Sequence, residues 1–368
     1  MTNPGVRVVL SDPCCEDYFP TDILDVQETL QNYVIEMGEN LRQTNKFSEE
    51  YTYNLSESVI DNALIYGVIL SSKIGDINGK FTLENAILSL TPHFNKKQVN
   101  LKFKPTQTGL CRGEIIAVSG KYSNGNVYVD QVFTNCRKKN PESIPETFNS
   151  TILVCTGPYI NDSLDQIILL NHKLVQINPD FTIFLGPFLT EDCSIIMNFG
   201  KEGPCYDADT LTEEVIQILS QNLKNSVFIP SPDDISGLKI IPGPRISDGG
   251  LTYSCTGNPC QIRYGPIDIY SIAFQSMDYL IENCCSKTPE EGILAKQCSG
   301  YPSVHPYIQY NNISDLKAKR SPHLFIYSGN QEHLEWNGTT SIGTPSFLKS
   351  NKITLCQFKD GKLDIQFV

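Results

Sequence analysis

The chain has 368 residues, of which 40% are hydrophobic and 19% charged, and its formal net charge is −12. That length suffices for two domains, each with its own buried core, and the composition is that of a folded chain, not a disordered one. Acidity of this degree excludes nucleic-acid binding by bulk attraction; such a role would need a locally basic region.

Cysteine usage bears on the compartment. The 13 cysteines are odd in number, and neither Cys14-Cys15 nor Cys284-Cys285 has the spacing of a disulfide framework. Met1 to Leu10 lacks the apolar core of a signal peptide, and no run approaches the roughly 18 apolar residues of a membrane span. The expectation is reduced, buried thiols in a cytosolic or nuclear protein.

Residues 1–20 read as an irregular lead-in. From Thr21 to Leu41, the residues Ile23, Val26, Leu30, Tyr33, Val34, Met37 and Leu41 recur at three- and four-residue steps. This is one face of an amphipathic helix, with Thr21 or Asp22 as its N-cap. Five strand-like runs follow: Leu64–Leu70, Phe81–Leu90, Val99–Phe103, Glu114–Ser119 and Val127–Phe133. Turn signals separate them, and Asn124-Gly125 is a strong hairpin cue. Five short strands fit a small Greek-key barrel of the OB type, and a small β-sandwich fits the same count.

A polar linker containing Arg137-Lys138-Lys139 comes next, and beyond it the periodicity changes. Strands at Ile152–Cys155, Phe181–Leu185 and Ser226–Ile229 alternate with helices at Asp162–Ile177 and Thr212–Leu223. That alternation predicts a parallel sheet with right-handed crossovers. Further strands are expected at Gln261–Tyr264, Asp268–Ala273, Leu324–Tyr327, Ile353–Phe358 and Leu363–Phe367, with helices at Asp278–Asn283 and Glu290–Gln297. The division is therefore a lead-in with a helix over 1–60, a barrel over 61–135, a linker over 136–150 and an α/β sandwich over 151–368.

The first two α/β strands each run into a Gly-Pro turn, at Gly157-Pro158-Tyr159 and Gly186-Pro187-Phe188. In many hydrolases such strand ends carry metal-binding Asp and His. A two-metal phosphoesterase needs bridging carboxylates and imidazoles there, to polarise phosphate and activate water. Here the ends read Cys155-Thr156-Gly157, Gly186-Pro187-Phe188 and Pro230-Ser231-Pro232-Asp233-Asp234. Only Asp233 and Asp234 are able to ligate a hard cation, which requires several oxygen ligands. The five histidines, His93, His172, His305, His323 and His333, form no His-x-His pair and suit surface or capping roles. Cys255 and Cys260 have the spacing of half a zinc site, but no second pair accompanies them, and buried thiols are the simpler reading. Neither a phosphate-binding Gly-rich loop nor a nucleophile elbow is present.

One region is basic. Between residues 96 and 139 stand Lys96, Lys97, Lys102, Lys104, Arg112, Lys121, Arg137, Lys138 and Lys139, against Glu114 and Asp130. Nine cations less two anions leave +7 there and −19 in the rest of the chain. Phe94, Phe103, Tyr122, Tyr128 and Phe133 are interleaved. OB folds hold single strands with such a combination. Alternatively, the lysines protect strand edges and the aromatics form core. The first six cations are the candidate nucleic-acid contacts.

The order of elements and several motifs resemble the B subunits of eukaryotic and archaeal replicative DNA polymerases, in particular that of DNA polymerase alpha. The resemblance covers residues 60–368. It is carried by Val154-Cys155-Thr156-Gly157-Pro158-Tyr159, by Phe184-Leu185-Gly186-Pro187-Phe188-Leu189, and by Phe228-Ile229-Pro230-Ser231 with Asp234. Pro242, Asn258-Pro259-Cys260 with Asp278, and Leu294, Gln297, Tyr301-Pro302 and Pro306 continue it. In the barrel, Gly113-Glu114-Ile115-Ile116-Ala117-Val118-Ser119-Gly120 is similar to the family's Pro-Gly-Gln strand, with Arg112-Gly113-Glu114 in place of Pro-Gly-Gln. The chain is too short for the extra N-terminal helical domain of longer members, so the docking role of that domain is not expected.

The resemblance implies an OB barrel joined to a metallophosphoesterase-type α/β sandwich lacking its metal ligands. Cys155, Gly157, Pro158, Gly186, Pro187, Pro230, Ser231 and Asp234 stand at the degenerate positions. It further implies a nuclear, non-catalytic scaffold without a cofactor. Such a scaffold grips the zinc-binding C-terminal domain of the polymerase catalytic subunit, and meets primase and DNA through the complex. Three alternatives remain: a divergent active metallophosphoesterase, a single-strand-binding OB protein, and the equivalent subunit of polymerase delta or epsilon.

Overall fold

The structure, a computed structural model, describes residues 8–11, 23–72, 81–90, 97–104, 110–133, 141–197, 207–221, 223, 225–235, 254–275, 284–285, 322–336 and 338–368. The helices expected at 278–283 and 290–297, the N-cap at Thr21 or Asp22, and the motif residues Pro242, Asp278, Leu294, Gln297, Tyr301, Pro302 and Pro306 lie outside these residues. So do Lys96, Arg137, Lys138, Lys139, Phe94, His93 and His305.

The N-terminal region is not wholly irregular. Strand β1 (Val8–Ser11) pairs antiparallel with a strand of the α/β region, Val8 opposite Tyr264. Its four residues are too few to show a period, so pairing reveals it where pattern does not. Helix α1 (Ile23–Asn45) then packs on the barrel. Val34, Met37 and Leu41, from the expected apolar face, enter the barrel's core cluster. Gly38 makes this approach feasible, since a β-carbon there would lie 2.2 Å from Tyr66 Cε2. The Tyr51 hydroxyl donates to the Gly38 carbonyl at 2.7 Å and ties the loop after α1 to the helix.

Strands β2 (Val59–Ser71), β3 (Ala86–Leu90) and β4 (Gln98–Lys102) lead through the short β5 (Leu110–Cys111) to β6 (Ile115–Ser123) and β7 (Asn126–Phe133). Five of these close into a barrel in the order β2-β3-β4-β7-β6, with β4 and β7 parallel and the other pairs antiparallel. Closure and this order agree with an OB-type barrel, one of the two arrangements the strand count allowed. Asn124 and Gly125 both have positive φ, 48° and 79°, so the hairpin cue gives the left-handed turn it signals.

The remaining strands build two six-stranded sheets. The first uses β8 (Ser150–Thr156), β9 (Phe181–Leu185), β10 (Ser226–Ile229) and β11 (Ser254–Cys255). In the second lie β12 (Cys260–Tyr264) and β13 (Ile267–Gln275), while β14 (Cys284–Cys285) pairs instead with β5, Cys284 opposite Cys111. The second sheet continues with β15 (Leu324–Ser328), β16 (Glu332–Trp336) and β17 (Thr339–Thr344). A last hairpin, β18 (Thr354–Lys359) and β19 (Lys362–Phe367), returns to the first sheet. The sheet orders are β11-β10-β9-β8-β18-β19 and β1-β12-β13-β15-β17-β16.

The parallel sheet expected for β8, β9 and β10 is correct, and β11 extends it in the same sense. Strands β18 and β19 add to it antiparallel, and the second sheet is mixed. The Asp360-Gly361 turn, with φ of 51° and 72°, makes β18 and β19 a hairpin.

Helices α2 (Asp165–Ile177) and α4 (Ala208–Ser220) cover the outer face of the first sheet. Between them runs the short α3 (Ser194–Met197), and α5 (Phe347–Ser350) precedes β18. Alternation along β8 shows the two layers. Leu153 and Cys155 pack with Ile167, Leu170, Leu174, Leu211 and Val215 under the helices. Ile152 and Val154 pack with Ile262, Ile269, Leu324 and Ile342 between the sheets. A sheet buried on both faces explains why β8 and β9 read as continuous apolar runs.

The expected linker is only partly one. Within residues 141–149, Phe148 is buried between the sheets and Ile144 packs beside it. Among the described residues, no helix is long and apolar enough to cross a membrane.

Candidate functional site

The parallel strands β8, β9 and β10 end side by side, as their register requires: Thr156 is opposite Leu185, and Ile229 opposite Leu185. This edge brings together all eight positions singled out in the sequence. Gly157 donates its N–H to the Leu185 carbonyl at 2.9 Å, and Gly186 to Ile229 at 2.8 Å. Each ladder thus continues one residue past the strand. The Gly157-Pro158, Gly186-Pro187 and Asn258-Pro259 peptides are cis.

The loops approach one another closely at two glycines. A β-carbon on Gly157 would lie 1.9 Å from the Pro187 carbonyl oxygen. One on Gly186 would lie 2.5 Å from Asp234 Oδ2 and 2.6 Å from Ser231 N. Only glycine permits either approach.

After each Gly-Pro, an aromatic residue turns into the core beneath the helices. Tyr159 and Phe188 are both 0% exposed, and their rings stack with centroids 5.7 Å apart. Phe184 and Phe228 stack alongside at 4.7 Å. The Tyr159 hydroxyl lies 2.9 Å from the carbonyl oxygens of both Cys155 and Leu185, and so bridges the ends of β8 and β9. Burial pushes this phenol well above its ordinary pKa.

Asp234 is the carboxylate closest to a metal ligand in type, and it is 1% exposed. Its Oδ1 accepts the backbone N–H groups of Phe188 and Leu189, the latter at 3.2 Å. Its Oδ2 accepts the N–H of Ser231 at 2.7 Å. The carboxylate therefore ties the β9 loop to the β10 loop. Burial raises its pKa to about 7, while the three N–H donors act to lower it. Asp233, the other candidate ligand, is exposed.

This set of groups does not fit a two-metal centre. Among the described residues, the buried carboxylate is that of Asp234, engaged by backbone donors, and Cys155, one residue before the end of β8, is a buried thiol pushed well above its usual pKa by desolvation. Among the described residues, no three His, Cys, Asp or Glu side chains come together as a metal site would require. Cys255 and Cys260 belong to different core clusters, one under the helices and one between the sheets, which separates the suspected half zinc site.

Sequence reading missed the contribution of the second sheet to this edge. Thr156 Oγ1 lies 2.6 Å from Thr344 Oγ1, and Thr344 in turn donates to the Tyr327 carbonyl at 2.9 Å. Asn258 exchanges two 3.1 Å hydrogen bonds with the backbone of Ala273. His323 is buried: its Nδ1 accepts from Asp268 N–H at 2.9 Å and its Nε2 donates to the Glu142 carbonyl at 2.6 Å. It staples the segment before β8 to the second sheet. His172 and His333 are exposed.

On the barrel, the described candidate contacts Lys97, Lys102, Lys104, Arg112 and Lys121 are all exposed. Lys104 pairs with Asp130 at 2.9 Å, Lys121 with Asp61 at 2.8 Å, and Lys97 donates to the Leu55 carbonyl at 3.1 Å. Of the interleaved aromatics, Tyr122 is buried and Phe103 and Phe133 pack against the core, whereas Tyr128 is 53% exposed.

No family model matches the chain, and no curated protein matches it. Among the solved structures that the chain matches, one crystal structure aligns with 60% of this chain and 99% of its own length, at 12% identity and a TM-score of 0.33.

Proposed function

We propose that this chain is a non-catalytic scaffold subunit of the kind that accompanies a replicative DNA polymerase, with the B subunit of polymerase alpha as the specific reading. On that reading, the two-sheet region is a phosphoesterase-type sandwich that has lost its metal chemistry. Its partner is the zinc-binding C-terminal domain of the polymerase catalytic subunit, in the nucleus. Primase and DNA are met through that complex.

The observation that carries the proposal is the orientation of Asp234. Catalysis of phosphate hydrolysis requires carboxylates directed at bound cations. Here the buried carboxylate at the strand ends is directed at three backbone N–H groups of its own chain. With that edge committed to internal packing, the outer surface is what remains for function. A net charge of −12 suits a basic, metal-stabilised partner and speeds correct encounter.

The test is co-elution. The full chain mixed with the C-terminal domain of the polymerase alpha catalytic subunit should elute as one complex at micromolar concentration. Separate elution overturns the scaffold assignment. Co-elution with the delta or epsilon domain in preference to alpha overturns the specific reading alone.

A further inference from the structure

The outer wall of the barrel carries a row of three side chains that the internal packing does not use. Lys102 on β4 is the Cα partner of Tyr128 on β7, and Tyr128 is the Cα partner of Lys121 on β6. All three are exposed, so the tyrosine ring lies between two lysines on one face. Neighbouring strands run about 4.8 Å apart, which places the two lysine backbones roughly 10 Å from each other. Two residues along the same strands, Asn100, Asn126 and Ser123 form a second row in matching register. The six positions include no acid. Asp61 pairs with Lys121 of the row and Asp130 with the neighbouring Lys104, in both cases through side chains more than half exposed. Exposed pairs of that kind contribute little and exchange readily for another anion.

Edge protection does not account for these lysines. A closed barrel has no open edge in β4, β7 or β6. Nor is Tyr128 a core residue, unlike Tyr122, which is buried.

We propose that the Lys102–Tyr128–Lys121 row binds single-stranded nucleic acid, with one base stacked on the Tyr128 ring and the flanking phosphates on the two ammonium groups. Base-on-aromatic stacking needs an exposed, unstacked ring, and phosphate contacts need cations on both sides of it. The amide and hydroxyl row supplies uncharged partners for the adjoining nucleotide. The site rests on the barrel alone and is independent of the polymerase assignment, since oligonucleotide binding and partner co-elution are separate readouts.

The experiment is fluorescence anisotropy of labelled oligothymidylate and oligouridylate with the full chain, at about 50 mM and about 200 mM salt. The Tyr128→Ala chain should bind about tenfold more weakly with its salt slope unchanged. The double variant Lys102→Glu, Lys121→Glu should bind more weakly still, with the slope reduced by about 1.4. Lys362→Glu, on the exposed β18–β19 hairpin, should match the unsubstituted chain. All three variants alter exposed side chains, so an unchanged melting temperature confirms that each is folded. Preference for one oligonucleotide would assign the site to DNA or to RNA within the proposal. Wild-type binding by Tyr128→Ala, an equal loss in Lys362→Glu, or the absence of any anisotropy change at micromolar chain would overturn it. Displacement by an acidic peptide at equal charge would also overturn it, in favour of a general anion surface.

Discussion

Gly157 and Pro187 stand so close that a β-carbon on the glycine would lie 1.9 Å from the proline carbonyl oxygen. This contact joins the loop after β8 to the loop after β9, at the edge where an α/β hydrolase would keep an open cleft. Gly157→Ala should therefore force the loops apart. The expected loss is about 3 kcal/mol or more, from overpacking against backbone that has no rotamer with which to yield. Urea denaturation of the purified variant reads it directly, and a loss below about 1 kcal/mol would show that the loops are not in contact.

Asp234 makes stability depend on pH. Burial raises its folded-state pKa from 3.8 to about 7. Between those values the folded chain holds a proton that the unfolded chain has released, so this residue's contribution falls as pH rises from about 4 to 7. A shift of that size corresponds to about 4 kcal/mol. In Asp234→Asn the group no longer titrates, and the slope it causes should vanish. The amide also presents N–H to one backbone donor, at a cost of about 1–3 kcal/mol at pH 5. Urea midpoints of both chains at pH 5 and pH 8 separate the two effects.

Tyr159→Phe keeps the ring stacked on Phe188 and removes the hydroxyl between the Cys155 and Leu185 carbonyls. A loss of about 1–2 kcal/mol is expected, since the removed donor leaves buried acceptors behind. Its measure is the melting temperature, with Tyr264→Phe as a comparison at a buried phenol that bonds to the Ser150 hydroxyl.

His323→Gln should lose the link between Glu142 and Asp268, because one amide cannot reproduce both ring-nitrogen contacts. The expected cost is about 2 kcal/mol. Limited proteolysis should show faster cleavage between residues 134 and 150 in the variant.

The sequence revealed elements wherever a period or a turn was strong. Strands β9 and β10 have the bounds that their apolar runs suggested, and α1 has the expected face. Strand β17 was not visible because it is Thr339-Thr340-Ser341-Ile342-Gly343-Thr344: every residue is buried, yet only one has a large apolar side chain. Its burial comes from position between β15 and β16, which composition does not record. A turn signal, Asn337-Gly338, was available for the β16–β17 hairpin. At the strand ends, the absence of metal-ligand types was legible residue by residue. The turning of Asp234 onto backbone N–H groups was not, because it depends on the loops after β9 and β10 meeting. Likewise the Lys102–Tyr128–Lys121 row exists only through register, which no single run of residues specifies.

Calorimetric titration of manganese into the full chain, with phosphodiester hydrolysis followed in the same samples, tests most directly whether the strand ends hold the chain together or perform chemistry. The account predicts no saturable binding and no manganese-dependent hydrolysis above buffer. Binding of a pair of ions at micromolar affinity, with hydrolysis abolished by Asp234→Asn, would contradict it.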